Sequence, residues 1–199
     1  ALLVDVLRAL GLTASDFVVR LSSRQAWQRF FAGRGGDPAR AYEFYQVVDK
    51  LEREKPEVSA EKLSALGIAM AEVQEFIRAS VPEPELQAVL DNLSARGLRD
   101  YVVVDYGVIR GLAYYTGIVF EAFDRKGTFR AIAGGGRYDQ LVKQVSEGRV
   151  DIPALGFGMG DVVLGNLIDD TPHAAEKMRA WIAKHHAADI YVVIAKEER

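Results

Sequence analysis

The 199-residue sequence contains no cysteine, which excludes disulfides, thiolate zinc ligands and cysteine nucleophiles. No apolar run reaches the ~18 residues of a membrane span, and the N-terminus lacks the basic start and small-residue cleavage site of a signal peptide. No excess of positive charge is present either, because 25 lysines and arginines face 28 acidic residues, for a net charge of −3. These absences favour a cytoplasmic globular protein whose contacts with nucleic acid are local.

Histidine is also scarce. The three histidines, His173, His185 and His186, all lie in or near a late polar helical stretch. We interpret them as solvated surface side chains rather than metal ligands, and we predict no protein metal site.

The pattern of apolar residues and turn residues predicts an α+β fold, an antiparallel sheet with flanking helices and a helical insertion. Strands are expected at 16–22, 101–104, 114–123, 128–133, 154–160 and 189–194, and helices at 1–10, 24–31, 161–168 and 171–186. Between Pro38 and Arg96 the charged amphipathic pattern predicts helices only, broken at Pro56 and around Pro82 and Pro84. The chain opens directly into a helix and closes on a newly started strand, so we expect a fragment.

A run of polar and aromatic residues follows the second predicted strand. Arg110 precedes a glycine and then the adjacent pair Tyr114 and Tyr115. Because neighbouring side chains of a strand face opposite sides, we expect one tyrosine to face a ligand and the other the core. The alternatives are cross-strand packing for the tyrosines and a surface salt bridge for Arg110.

A glycine-rich run follows at residues 133–139, AGGGRYD. Gly134 and Gly135 would let the backbone approach a bound group, and Arg137 and Tyr138 are expected to point into the same space as Arg110. The alternatives are a flexible turn for the glycines and, for Asp139, an N-terminal cap on a helix that starts at Gln140, which we favour. Asp161 is likewise interpreted as a helix cap rather than a catalytic group.

These runs resemble sequence signatures of one enzyme family. Residues 110–121, RGLAYYTGIVFE, are similar to the first histidine-specific signature of histidyl-tRNA synthetases, and residues 133–139 to the second. Residues 154–164, ALGFGMGDVVL, resemble the third general signature of class II aminoacyl-tRNA synthetases. The resemblance implies a class II catalytic core that begins after the second class II signature.

The same resemblance divides the chain. Its parts are a first piece of the core at 1–32, a helical insertion at 33–97, the second piece of the core with the histidine motifs at 98–170, a linker at 171–188 and the start of an anticodon-binding domain at 189–199. The first class II signature, which builds the dimer interface, and the second, whose arginine grips ATP, are absent. Ala113 stands where the family has Asp, and Val162-Val163 stand where it has Glu-Arg.

The resemblance implies that the whole enzyme joins histidine to ATP as histidyl-adenylate, with Mg²⁺, and transfers the histidyl group to tRNA(His), as a homodimer. It gives Arg110 a catalytic and ATP-binding role, and Gly158 and Gly160 an ATP-binding role. The histidine-binding residues would be Tyr114, Tyr115, Arg137, Tyr138, Gly134 and Gly135. Within that set, we expect the hydroxyls of Tyr115 and Tyr138 to bind the imidazole.

Two other functions compete with this interpretation. The regulatory subunit of ATP phosphoribosyltransferase keeps the fold for histidine sensing, and Val163 and Ala113 favour it, whereas Arg110 and the strand expected from Asp189 favour the synthetase. Residues 156–160, GFGMG, could alternatively form a dinucleotide-binding turn. Their glycine spacing departs from Gly-x-Gly-x-x-Gly, and no βαβ unit with a ribose-binding acid follows.

Overall fold

A computed structural model describes residues 1–111 and 114–185. Its strands are Phe17–Ser23 (β1), Val102–Val104 (β2), Ile118–Asp124 (β3), Ala133–Tyr138 (β4) and Ala154–Met159 (β5). Its helices are Leu2–Ala9 (α1), Arg24–Ala32 (α2), Ala41–Lys50 (α3), Pro56–Ala65 (α4), Met70–Ala79 (α5), Pro84–Ala95 (α6), Leu141–Val145 (α7), Asp161–Asp169 (α8) and Pro172–His185 (α9). Short 3-10 turns lie at Pro38–Arg40 and Arg99–Tyr101.

The strands form one five-stranded sheet in the order β2-β1-β3-β4-β5. The pairs β1–β3, β3–β4 and β4–β5 are antiparallel, which confirms the predicted α+β class with a largely antiparallel sheet. The prediction is wrong for β2, which runs parallel to β1. Helices α2 to α6 separate these two strands in the chain, and such a long connection allows the parallel pairing.

Residues 38–96 contain helices and a 3-10 turn and no strand, as the amphipathic pattern predicted. Pro56 and Pro84 are the first residues of α4 and α6, where a missing backbone N–H costs no hydrogen bond. Each proline therefore starts a helix as well as ending the previous segment.

An aromatic cluster joins this helical segment to the sheet. Trp27 of α2 is fully buried and its ring lies edge-on to Phe44 of α3 and Phe76 of α5. The indole N–H donates to the carbonyl of Tyr106, 3.1 Å away, in the loop after β2. Burial of large aromatic rings contributes strongly to the core, so α3 is fixed relative to the strands.

Two predicted strands are displaced. The strand expected from Tyr114 begins only at Ile118. The strand expected at 128–133 is shifted along the chain, because the observed strand β4 begins at Ala133 and contains the three glycines. The Asp124 carboxylate accepts the backbone N–H groups of Thr128, at 2.8 Å, and Phe129, at 3.0 Å. These two N–H groups are therefore not available to pair with a neighbouring strand.

The C-terminal predictions have two outcomes. Helix α9 agrees with the helix predicted over 171–186. His186 and the strand expected at 189–194 lie outside the described residues.

We expect Ser23→Ala to lower the free energy of unfolding by about 1 kcal/mol, because the Ser23 hydroxyl accepts the Ala26 N–H at the start of α2. Urea denaturation measures this loss. The exposed Ser64 on α4 supplies the control, and Ser64→Ala should change stability by less than about 0.5 kcal/mol. Equal losses in the two variants would contradict the capping role.

Candidate functional site

A cavity of about 730 Å³ opens at one face of the sheet, between β4, β5 and the loop that precedes β3. Its lining includes Arg110, Tyr114, Tyr115, Gly134, Tyr138 and residues 156–160. The structure thus brings Arg110 together with three tyrosines and with the glycine-rich end of β5.

Arg110 is fixed by an unusual backbone conformation and by an ion pair. Its φ of 51° lies in the left-handed region, which costs a non-glycine residue about 1–3 kcal/mol. Its Nη1 lies 2.6 Å from Oε1 of Glu121 on β3, and its guanidinium carbon lies 5.9 Å from the centre of the Tyr115 ring. The Arg110 Nε is buried and has no hydrogen-bond partner among the described residues.

Glu121 is the carboxylate that pairs with Arg110, and the sequence motifs did not predict this role. Burial raises the pKa of Glu121 above its ordinary value, and the Arg110 guanidinium opposes part of that shift. Only about a fifth of each side chain is exposed, with 22% for Arg110 and 23% for Glu121. The ion pair is therefore largely desolvated.

The glycines of β4 leave room for these side chains. Gly134 pairs with Glu121 across the ladder, and a Cβ atom at Gly134 would overlap the Arg110 guanidinium. A Cβ atom at Gly136 would come within 2.8 Å of the Tyr115 ring. The glycine run is a strand whose missing side chains make space for an arginine and a tyrosine, rather than a flexible turn.

Tyr114 and Tyr115 both line the cavity, so the expectation that they face opposite sides is wrong. They precede β3, and the alternation of a strand does not apply to them. Their ring centres are 4.5 Å apart, and their hydroxyls share a hydrogen bond of 3.4 Å. Tyr138 completes the group, with its ring edge-on to Tyr114 at 5.6 Å.

Burial raises the pKa of Tyr115 to about 12, and the hydrogen bond between the Tyr114 and Tyr115 hydroxyls adds to the shift. At neutral pH the Tyr115 phenol is therefore protonated and remains a hydrogen-bond donor. Its ring packs with Val108 and Val119 in a small apolar cluster.

Arg137 and Gly135 do not line the cavity, contrary to expectation. Side chains alternate along β4, so Arg137 points away from the face that carries Gly134 and Tyr138. The Arg137 Nε donates to the Asp139 carboxylate at 2.8 Å, and the aliphatic part of Arg137 packs over Gly117. A Cβ atom at Gly135 would meet the backbone of β5 instead of the cavity.

Asp139 does not cap the following helix, which corrects the favoured interpretation. The N-cap of α7 is Gln140, and the Asp139 carboxylate accepts the hydroxyl of Thr116 at 2.8 Å. Asp139 therefore ties the end of β4 to the loop that carries the two tyrosines. Asp161 is the first residue of α8 rather than its N-cap, which is Gly160, and its carboxylate accepts the Val162 N–H at 2.9 Å.

The glycine-rich end of β5 forms the far wall of the cavity, and Gly158 and Gly160 are among its lining residues. The antiparallel pairing of β5 with β4 excludes the parallel unit of a dinucleotide-binding turn. Val162 is exposed, and Val163 packs partly against the core. Among the described residues that line the cavity, Arg110 is the single cation.

Neither a metal site nor a membrane span is found in the described part of the chain. Within 1–111 and 114–185, no three His, Asp or Glu side chains converge as metal ligands. Over the same residues, no helix is both long and apolar enough to cross a bilayer.

Comparison with known proteins gives a consistent result. The family model described as histidyl-tRNA synthetase matches residues 1–160. The histidine–tRNA ligase of Opitutus terrae is 42% identical, over 98% of this chain and 47% of that protein. That of Thermoplasma volcanium is 34% identical, over 87% of this chain and 45% of that protein. The chain thus spans about half the length of the curated relatives it matches.

Solved structures support the fold. A histidyl-tRNA synthetase from Nostoc sp. PCC 7120 superimposes with a TM-score of 0.61 at 23% identity, covering 87% of this chain and 45% of that one. An ATP phosphoribosyltransferase regulatory subunit/histidyl-tRNA synthetase from Bacillus halodurans superimposes with a TM-score of 0.64 at 20% identity, covering 90% and 55%. At these identities the likeness concerns the fold alone.

We expect Gly134→Ala to displace the Arg110 guanidinium and leave Glu121 without its partner. The variant should lose about 1–3 kcal/mol of stability near pH 7, less than for a fully buried pair because each side chain is partly exposed. An unpaired buried carboxyl has a still higher folded pKa, so the loss should grow from about pH 4 to about pH 7 as the unfolded chain ionises.

Urea denaturation at both pH values measures this difference. Gly165→Ala on α8 is the control, because no atom lies within 4 Å of its added Cβ and alanine favours a helix at either pH. A pH-independent loss in Gly134→Ala would contradict the link to Glu121.

Proposed function

Because the chain belongs to the histidyl-tRNA synthetase family, we propose that the full-length protein activates histidine with ATP and transfers it to tRNA(His). The observation that carries the proposal is the convergence of Arg110 with three tyrosine hydroxyls around one cavity. An anchored guanidinium suits a phosphate and a carboxylate, and tyrosine hydroxyls suit the ring nitrogens of an imidazole.

Arg110 is the proposed catalytic residue. In adenylation a carboxylate oxygen of histidine attacks the α-phosphorus of ATP, the bond to the β-phosphate oxygen breaks, and pyrophosphate leaves. A guanidinium keeps its charge and offers several donors, so one edge can bind Glu121 while the others bind the carboxylate and the α-phosphate. Because Glu121 fixes the group in advance, little reorganisation is needed as charge develops.

We assign recognition of the histidine side chain to the tyrosines. Tyr115 is a protonated donor at neutral pH and is buried beside Tyr114, and the Tyr138 ring contacts Tyr114 at 5.6 Å. A side chain without ring nitrogens would leave these hydroxyls unpaired, which penalises other amino acids. Gly134 belongs to the same site through the space it gives Arg110, whereas Arg137 and Gly135 act outside the cavity.

ATP would lie toward Gly158 and Gly160, where bare backbone allows a close approach. The described cavity lining holds one cation, which fits one phosphate and a carboxylate rather than a whole triphosphate. Further positive groups would come from the rest of the full-length protein, and magnesium would arrive bound to ATP. We further propose that 33–97 is an insertion in the catalytic core, that 189–199 begins an anticodon-binding domain, and that the protein acts as a homodimer in the cytoplasm.

Histidine sensing by a regulatory subunit is the second candidate. Val163, which lies where the family has an arginine, favours it, and the Bacillus halodurans protein carries both names. The same cavity could bind histidine without activating it. Histidine-dependent exchange of pyrophosphate into ATP by the full-length protein separates the two functions, because a sensor has no such activity.

We expect Arg110→Ala to lower the kcat of this exchange by about 10²–10³, because one preorganised charge stabiliser is removed. Histidine affinity, measured by calorimetry, should change much less, since the arginine acts mainly on charge that develops in the transition state. Lys126→Ala, an exposed cation paired with Asp170, serves as the control and should leave exchange unchanged. Wild-type exchange in Arg110→Ala would refute the catalytic role.

Tyr138→Phe should weaken histidine binding by about tenfold and relax discrimination against other amino acids, because one hydroxyl that pairs with the imidazole is lost. Amino acid-dependent exchange with histidine and with competing amino acids measures both effects. Tyr101→Phe is the matched control, since Tyr101 packs on Phe17 elsewhere in the core. If Tyr138→Phe kept normal affinity and selectivity, the imidazole assignment would be wrong.

A further inference from the structure

We propose that Asp49 and Tyr42 of helix α3 are positioning residues that hold the Arg110 loop in its active conformation, an inference that rests on the proposed function. The contact is made through Gly111, the residue that follows Arg110. The Gly111 N–H donates to Oδ1 of Asp49 at 3.1 Å, and the Gly111 carbonyl accepts the Tyr42 hydroxyl at 3.1 Å. One helix therefore binds both backbone polar groups of this residue.

Helix α3 is suited to this task by its geometry. Tyr42 and Asp49 are separated by about two helical turns and so lie on the same face. The opposite face is anchored, because Phe44, Val47 and Val48 are buried and the Phe44 ring stacks on Phe31 at 4.7 Å. The two hydrogen-bonding groups are thus presented from a rigid support.

The loop needs such support because Arg110 has a left-handed backbone. Conformations of this kind persist where the surrounding structure fixes them. Glu121 fixes the side chain of Arg110, but an ion pair to a long side chain leaves the backbone free to rotate. The bonds to Gly111 supply the second anchor, one residue further along the chain.

Asp49 is itself held in place. Nη2 of Arg53, in the turn that follows α3, donates to Oδ2 of Asp49 at 2.8 Å, which leaves Oδ1 for the Gly111 N–H. The negative charge of Asp49 also acts on Glu121 and adds to the raised pKa of that carboxyl. Helix α3 therefore contributes to the position of the Arg110 loop and to the field around its counter-ion.

A residue that acts through Arg110 should affect the step that Arg110 serves. A small displacement of a catalytic group can lower a rate by about 10²-fold while it leaves substrate binding largely intact. The kcat of exchange should therefore fall when the Gly111 bonds are lost, whereas the KM for histidine, which depends on the tyrosines, should hardly change.

The test uses the full-length protein. We expect Asp49→Ala to lower the kcat of histidine-dependent pyrophosphate exchange by about 10–10²-fold, with a change in histidine KM below about threefold. Tyr42→Phe should show a smaller loss of the same kind. Asp49→Asn keeps an acceptor oxygen for the Gly111 N–H and should recover most of the rate. Glu43→Gln, on the same helix and paired with Arg40 rather than with the Arg110 loop, is the control.

A double variant separates positioning from general stability. If Asp49 acts through Arg110, Asp49→Ala should have no further effect in the Arg110→Ala background, because the two losses are not additive. Additive losses, or an Asp49→Ala variant with the wild-type kcat, would overturn the positioning role while the proposed function stands. A wild-type protein without exchange activity would overturn the proposed function and, with it, the positioning role.

Discussion

The ion pair between Arg110 and Glu121 is the interaction on which the rest of the site depends. A guanidinium and a carboxylate that are largely removed from water are tolerated only with close mutual contact, here 2.6 Å. The pair dictates its surroundings. Strand β4 must carry glycine at 134, since any side chain there would occupy the position of the guanidinium. Arg110 itself has a left-handed backbone, with a φ of 51°.

The sequence predicted most of the fold because its local signals agree with the tertiary structure. Prolines at 56 and 84 start helices, and the apolar runs of β1 and β5 form strands within a residue of their predicted positions. One of the errors falls where a side chain competes for backbone hydrogen bonds. The Asp124 carboxylate accepts two backbone N–H groups in a segment whose β propensity predicts a strand. The residue pattern at 128–133 does not indicate these hydrogen bonds.

The sequence predicted which residues form the candidate site better than it predicted how their side chains are oriented. Arg110, Tyr138, Gly134 and the β5 glycines were identified from their motifs, and all of them line the cavity. The orientation of Tyr114 and Tyr115 was wrong because it assumed a strand that begins only after them. Asp49 could not be identified, since it lies 62 residues before Gly111 in a helix that also carries Glu43 and Lys50.

The pairing of Arg110 with Glu121 also bears on the catalytic role that we propose for Arg110. A neutralised pair attracts a polyanion weakly from a distance, because the two opposite charges largely cancel beyond a few ångströms. At contact distance the free edge of the guanidinium still presents its donors in a fixed direction. The arginine should therefore contribute little to the affinity for a triphosphate and more to the stabilisation of negative charge that develops on one group in the transition state. Rate enhancement depends on interactions that strengthen in the transition state, and a fixed, locally compensated arginine has that property. The space left by Gly134 and the backbone bonds from α3 serve the same requirement, since each restricts where the guanidinium can lie.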